Sequence, residues 1–367
     1  MPNLDPQPTA RWRRQRWDAC GLSPPPGPGS AETVAAEVGR LGCVQAQDFD
    51  MTLWSLSRRT GAPRGDVLET LATGQVVRTH AMRTTWHLVR RDDLALVQAA
   101  TADRVHALLR PMLRGQGVQD RTLAQWAHWL GDLLQAGPMT RQEVRTALQG
   151  SPFDFDGMTL GFALMWAELS MLVASGPPRG QVHTYQWMGE DRQLPDRHEA
   201  IRWLVGTFLS SHGPSTIADV CAWSSLTVTA VRRAIRDLGD AVSHSRLLGA
   251  DRYWIGPLSE GMWPERPTVS LVNGYDEYIS GLDARSKELL DPDGLRRPRP
   301  GVPIAVVMVD GMFAGHWRRR AASSAVSVQI HALRPLSGAE LAELDESAAS
   351  YAAFVGLPVD VLHVDRQ

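Results

Sequence analysis

An α+β fold is predicted, with three tandem winged helix-turn-helix units followed by a C-terminal, mostly β region that closes on a helix. Three observations predict it. The order helix, helix, helix, hairpin runs along the chain three times. From Thr268 the texture changes to short apolar runs of strand length. The 367 residues, 43% apolar and 21% charged, are enough for two or three cores of ordinary globular composition.

Residues 1–29 form a Pro-rich N-terminal segment ending in Pro24-Pro25-Pro26-Gly27-Pro28-Gly29, a breaker cluster. The first unit spans 30–113. Ser30 has the chemistry of an N-cap, and 31–41 have helical spacing. Helices over 51–59 and 64–73 follow, the latter led by Pro63. The runs 76–82 and 85–89 read as two strands joined at Arg83-Thr84. A long helix over 92–113 leads into the second unit, 114–190. That unit has a helix over 122–134, another opened by the capping-box spacing of Thr140-Arg141-Gln142-Glu143, an apolar one over 158–173, and strand-like residues 181–186. The third unit, 191–266, repeats the order most plainly. Its helices run over 197–211, from Gly213-Pro214-Ser215-Thr216 to Trp223, and over 231–238 behind Thr227 or Thr229, before a hairpin over 242–254 turning at Gly249-Ala250-Asp251. In the last region, 267–367, strands are expected over 269–272, 302–309, 312–319 and 325–333, two of them joined at Asp310-Gly311, and a helix over 337–354.

Composition excludes several classes. No uninterrupted apolar run is longer than that at 304–309, which is far too short to span a bilayer. The first residues lack the apolar core of a signal peptide, so a cytoplasmic, nucleoid-associated protein is expected. Cys20, Cys43 and Cys221 are few, odd in number and scattered, which suits neither a disulfide framework nor a zinc site. Cys43 is read as a small packed side chain. No cofactor and no metal are expected. The net charge of −2 does not announce a polyanionic partner, but Lys287 is the only lysine among 38 basic residues. Arginine is the better binder of phosphate and guanine edges; a GC-rich genome gives the same bias, and a near-neutral total is compatible with one basic face.

The most informative stretch is Gly42-Cys43-Val44-Gln45-Ala46-Gln47-Asp48. Two amides at i and i+2 neither titrate nor ligate metals well. They hold water or meet a base edge, or else they cap the preceding helix and satisfy buried backbone groups. Asp48 is expected to cap the next helix. Asp276, after a predicted strand, is open between a site role and a structural hydrogen bond. Arg296 and Arg297, in the proline-rich run 291–301, read either as a basic arm for a DNA groove or as a solvated loop.

In this order the pieces resemble the winged-helix DNA glycosylases of the AlkZ/YcaQ type over roughly residues 30–360. The resemblance is carried by Leu41-Gly42-Cys43-Val44-Gln45-Ala46-Gln47, similar to the family's Gln-apolar-Gln motif, and by residues 77–89, similar to its wing. It is carried further by Gly213-Pro214-Ser215-Thr216 with Ala222-Trp223-Ser224, by Tyr275-Asp276-Glu277-Tyr278, and by Val309-Asp310-Gly311 with Gly315-His316-Trp317-Arg318-Arg319. Thr84 and Trp86 depart from the wing pattern, where glycine and leucine are usual. Gln47, where some relatives carry aspartate, implies the branch acting on bulky or cross-linking purine adducts.

The implied reaction is excision of an alkylated purine from double-stranded DNA. Gln45 and Gln47 would serve as catalytic residues, their carbonyl oxygens holding the attacking water, with Asp276 as a further site candidate. Amides suffice only if the leaving base is already cationic. Candidate DNA contacts are Arg78, Arg83, Thr85 and His87 on the hairpin, Arg232, Arg233 and Arg236 on the third unit, Arg296 and Arg297, and Arg318. For His87 and Arg83 a packed role is the rival; for the three arginines of the third unit, a solvated helix face. A monomer is expected, because three units in one chain already make an asymmetric reader. A non-catalytic DNA-binding regulator and a protein-interaction scaffold are the competing functions.

Overall fold

The computed structural model describes residues 6–363 except 26, 154, 181, 190–192, 292–293, 295–304 and 322–324. In chain order, α1 (Pro6–Ala19) precedes a group made of α2 (Ala31–Leu41), β1 (Val44–Gln45), α3 (Phe49–Thr60), α4 (Arg64–Ala72), β2 (Val76–His80) and β3 (Trp86–Arg90). α5 (Leu94–Gly115) leads to α6 (Asp120–Leu134), β4 (Met139–Thr140), α7 (Arg141–Leu148), α8 (Gly157–Leu169), β5 (Val173–Ser175) and β6 (Thr184–Trp187). A third group holds α9 (Arg197–His212), α10 (Ile217–Ser224), α11 (Val228–Leu238), β7 (Val242–Leu247) and β8 (Ala250–Ile255). The chain then runs through β9 (Val269–Val272), α12 (Glu277–Ser280), α13 (Ala284–Lys287), β10 (Ala305–Val309), β11 (Met312–Ala321), β12 (Val326–Ala332), α14 (Gly338–Val355) and β13 (Val359–His363).

Local chemistry accounts for most boundaries. Ser30, Thr140, Thr216 and Ser337 each close a capping box at a helix start. Thr227, not Thr229, caps α11 through the amide of Ala230. The three groups carry sheets of order β1-β3-β2, β4-β6-β5 and β7-β8. The last region forms a five-stranded sheet, β13-β12-β11-β10-β9, antiparallel except where β13 joins β12 in parallel after α14. No helix among the described residues is long and apolar enough to cross a membrane.

The cores cut across the groups. Val34, Val38, Leu41, Leu53 and Trp54 of the first group share one core with Leu271, Val307, Trp317 and Ile330 of the five-stranded sheet and with Tyr351 and Phe354 of α14. Cys43, Val77 and Val89 share another with Leu204, Phe208 and Trp223 of the third group. The 22-residue α5 belongs to two cores: Leu94, Val97 and Ala100 enter the second, while Val105, Leu109 and Leu113 enter that of the middle group.

The N-terminal segment is a correction to the sequence reading. Residues 6–19 are a helix whose buried face carries Thr9, Trp12, Arg13, Arg16 and then Cys20, at helical spacing. Arginines on that face hide it from any search for apolar periodicity. Arg16 is sealed in and donates to the carbonyls of His212, Tyr278 and Glu277 and to Ser215 Oγ, while Trp12 Nε1 donates to Pro214 O at 2.8 Å. The helix thus ties α9, α10 and α12 together by satisfying carbonyls as well as by packing Trp12 and Trp17 into an apolar cluster with Tyr278 and Ile279. β13 adds a strand beyond those the sequence predicts, and the third helix of the middle group ends at Leu169 rather than at 173.

Candidate functional site

The glutamine stretch crosses from α2 to α3 as a two-residue strand. Gly42 stops α2 at φ +79°, and a Cβ there would lie 2.9 Å from Thr207 Cγ2 and 3.6 Å from Trp223. Glycine alone lets the chain pass so close to α9 and α10. β1 then adds to the hairpin, Val44 opposite Leu88 and Gln45 opposite His87.

Every backbone group of Gln45 and Ala46 has a partner. The amide of Gln45 donates to Glu277 Oε1 at 2.7 Å, and its carbonyl accepts from Thr52 Oγ1 at 3.0 Å. The amide of Ala46 donates to Trp86 O at 2.7 Å, and its carbonyl accepts from Arg78 Nη2 at 2.9 Å. Glu277 holds the motif from behind: its Oε2 accepts from Trp223 Nε1 at 2.8 Å and lies 3.4 Å from His212 Nε2. Burial pulls His212 down to about 4 against the pull of Glu277, so this imidazole is neutral at pH 7.

The two side chains are oriented from the hairpin. Gln45, 7% exposed, accepts at Oε1 from Arg83 Nη2 at 2.9 Å. Arg83 Nη1 in turn donates to the carbonyls of Trp223 at 2.7 Å and Ala222 at 3.3 Å, at the C-terminal end of α10 where carbonyls lack helical partners and a cation is favoured. Its Nη2 also lies 3.3 Å from His87 Nε2. A guanidinium only donates, so that imidazole nitrogen is unprotonated and the ring proton sits on Nδ1, 3.0 Å from Thr85 O. Burial first, then the charge of Arg83, push His87 well below its ordinary 6.5. Gln47 is exposed, and its Oε1 receives the amide of Trp86 at 3.4 Å. Asp48 caps α3 by accepting from the amide of Met51 and pairs with Arg319 at 3.3 Å. Cys43 is fully buried, its thiol pushed well up by burial, in keeping with a packed side chain.

The structure therefore joins Gln45, Arg83 and His87 in one hydrogen-bonded set and brings Gln47 and Arg78 to the same hairpin. Several candidates are corrected. His87 is 0% exposed and neutral, so it braces Arg83 instead of meeting phosphate. Arg78 is engaged with Ala46 O and sandwiched between Phe49 and Trp86, at 5.0 and 4.5 Å from the ring centres. Thr85 Oγ1 is sealed and has no partner among the described residues. Asp276, 2% exposed, gives both carboxylate oxygens to Arg59 at 2.7 and 2.8 Å and caps α12 through Tyr278 N. Its neighbour Glu277 is the acid that reaches the motif. Arg232, Arg233 and Arg236 are all exposed on α11, with Arg233 paired to Asp237 at 3.6 Å, and Arg318 is exposed on β11. Arg296 and Arg297 lie outside the described residues. Among the described residues no group of three or more His, Cys, Asp or Glu could hold a metal ion.

The chain aligns over 83% of its length, at 26% identity across 325 residues, with an interstrand DNA cross-link repair glycosylase of Streptomyces sahachiroi, 85% of which is covered. The solved structure of the S. sahachiroi DNA glycosylase AlkZ superposes with a TM-score of 0.75 at 22% identity, covering 97% of this chain and 99% of that one, and so shares its fold. A model of the family described as DNA glycosylase AlkZ-like matches residues 38–354, and the chain belongs to that family.

Proposed function

We propose that this protein is a DNA N-glycosylase that releases positively charged N7- or N3-alkylated purines, including bulky or cross-linked adducts, from double-stranded DNA as a monomer. The single observation that carries this reading is the pairing of one exposed and one nearly enclosed glutamine whose carboxamides are held by a hairpin, with every backbone group between them satisfied. Such amides cannot abstract a proton, but they can place a water molecule and steady a cationic sugar through fixed dipoles. An alkylated purine carries the charge that makes its departure easy, so no strong acid is required. The three helix–helix–helix–hairpin groups are proposed as winged helices presenting this motif to the duplex, in units of 30–113, 114–190 and 191–266, with the β-rich region 267–367 as their support.

The test is selective excision. Duplex DNA carrying N7-methylguanine is incubated with the protein and treated with alkali, which cleaves at abasic sites. Strand scission is expected with this lesion and not with a uracil-containing duplex; equal action on both contradicts a mechanism that relies on a pre-charged leaving group.

DNA contact is expected along α11. Arg232 and Arg236 stand one turn apart on its exposed face. Their joint replacement by alanine should weaken duplex binding irrespective of sequence and reduce the slope of log affinity against log salt by about 2, about one for each lost phosphate contact. An unchanged slope places the duplex elsewhere. The alternative reading, DNA binding without excision, draws on the near-complete enclosure of Gln45. A mobility shift with no abasic sites at any alkylated base would establish it.

A further inference from the structure

The two glutamines are held differently, and the difference fixes which atoms each has left. A guanidinium has no acceptor, so the Gln45 atom 2.9 Å from Arg83 Nη2 is its oxygen. Arg83 cannot turn to offer anything else. Its other arm is fixed on the carbonyls of Ala222 and Trp223, and His87, itself pinned to Thr85 O, closes the remaining side. The Gln45 main chain is equally fixed, between Glu277 and Thr52. What Gln45 has left is Nε2, which takes no hydrogen bond among the described residues and is not one of their sealed, unpartnered polar atoms. Gln47 is the converse. It is exposed, and its Oε1 meets only a long 3.4 Å contact from Trp86 N, so that oxygen keeps accepting capacity toward solvent.

We infer that Arg83 is a positioning residue that locks the Gln45 carboxamide with its oxygen inward, so that Gln45 presents N–H donors to an acceptor atom of the DNA while Gln47 alone offers a carbonyl oxygen to the attacking water. The inference rests on the glycosylase reading and divides its motif into two unlike halves. The acceptor that Gln45 meets belongs to the DNA backbone or to the leaving purine. A phosphate oxygen is present in any duplex, whereas an acceptor on the damaged base is present only in the substrate.

Glutamate replacements separate the roles, because a carboxylate keeps the size of the side chain, accepts hydrogen bonds and donates none. Single-turnover excision of N7-methylguanine is compared among wild type, Q45E, Q45A, Q47E and Q47A, with thermal melting as a check on folding. Q45E is expected to be as slow as Q45A, even though its carboxylate still pairs with Arg83. Q47E is expected to stay at least about tenfold faster than Q47A, since it retains the acceptor. Q45E close to wild type overturns the inference while leaving the glycosylase reading intact. A wild-type protein that excises nothing counts against the glycosylase reading, and a second measurement then decides the inference by itself. In ¹⁵N-glutamine-labelled protein, the Gln45 side-chain NH₂ resonance should shift on titration with duplex DNA, with plain duplex if phosphate is the acceptor and only with methylated duplex if the purine is. The shift should vanish in R83M and return at least in part in R83K. A Gln45 resonance that neither duplex moves overturns the inference.

Discussion

Joint replacement of Gln45 and Gln47 by alanine is expected to slow excision of N7-methylguanine by about 100- to 1,000-fold, the loss typical of removing one pre-oriented polar group from a reacting centre. Folding should be nearly unchanged. The main-chain hydrogen bonds to Glu277, Thr52, Trp86 and Arg78 do not involve either side chain. What the double variant loses is the oriented oxygen and the oriented N–H groups. Each single variant should lose nearly as much as the pair, because groups acting on one transition state are not additive. The measurement is single-turnover strand scission beside a duplex-binding titration. Equal cleavage by wild type and the double variant would remove both glutamines from the chemistry, and a matching loss of DNA affinity would assign them to binding.

The largest effect on stability is expected at the other carboxylate. Asp276 and Arg59 form a two-pronged ion pair at 2% and 1% side-chain exposure, with Glu37 a more distant partner of Arg59 at 3.8 Å. Asp276→Asn leaves a buried guanidinium with one weak counter-charge, and breaking such a pair costs about 3–5 kcal/mol. Glu37 sets the expectation at the lower end of that range, and chemical denaturation measures it. The pH dependence carries the same signature. Burial by itself raises Asp276, but the charge and hydrogen bonds of Arg59 outweigh it and hold the carboxyl below its ordinary 3.8. A depressed native value means that the stabilisation is complete above about pH 4 and disappears as the pH falls through the native value. Wild-type stability should therefore fall more steeply than that of Asp276→Asn below about pH 4. Parallel acid profiles would show that the pair is not the cause.

Much of this could be read in the chain before its structure. The repeated helix–hairpin order, the capping boxes at Thr140 and Ser337, and the change of texture after Thr268 all follow from local chemistry that a single sequence displays. The glutamine motif was legible because its residues are adjacent. Its supports were not. Glu277 lies 232 positions from Gln45, and nothing local distinguishes it from Asp276, which bonds to Arg59 instead. Arg83 and His87 are close in sequence, yet their roles depend on the end of α10 arriving from 140 residues away. Helix α1 escaped for another reason: its buried face carries Arg13 and Arg16, which the hydropathy pattern counts as surface. Long-range polar satisfaction leaves no periodic trace, and this molecule uses it, beside shared apolar cores, where α1 and the glutamine stretch meet distant elements.

The continuous α5 has a mechanical consequence. One helix is rooted in two cores through Leu94, Val97, Ala100, Val105 and Leu109, all ahead of the one backbone donor it lacks at Pro111, so the middle group cannot swivel away from the first like a bead on a string without unwinding several turns. Under the proposed function, the first two groups are expected to meet a duplex as one stiff body rather than as two hinged ones.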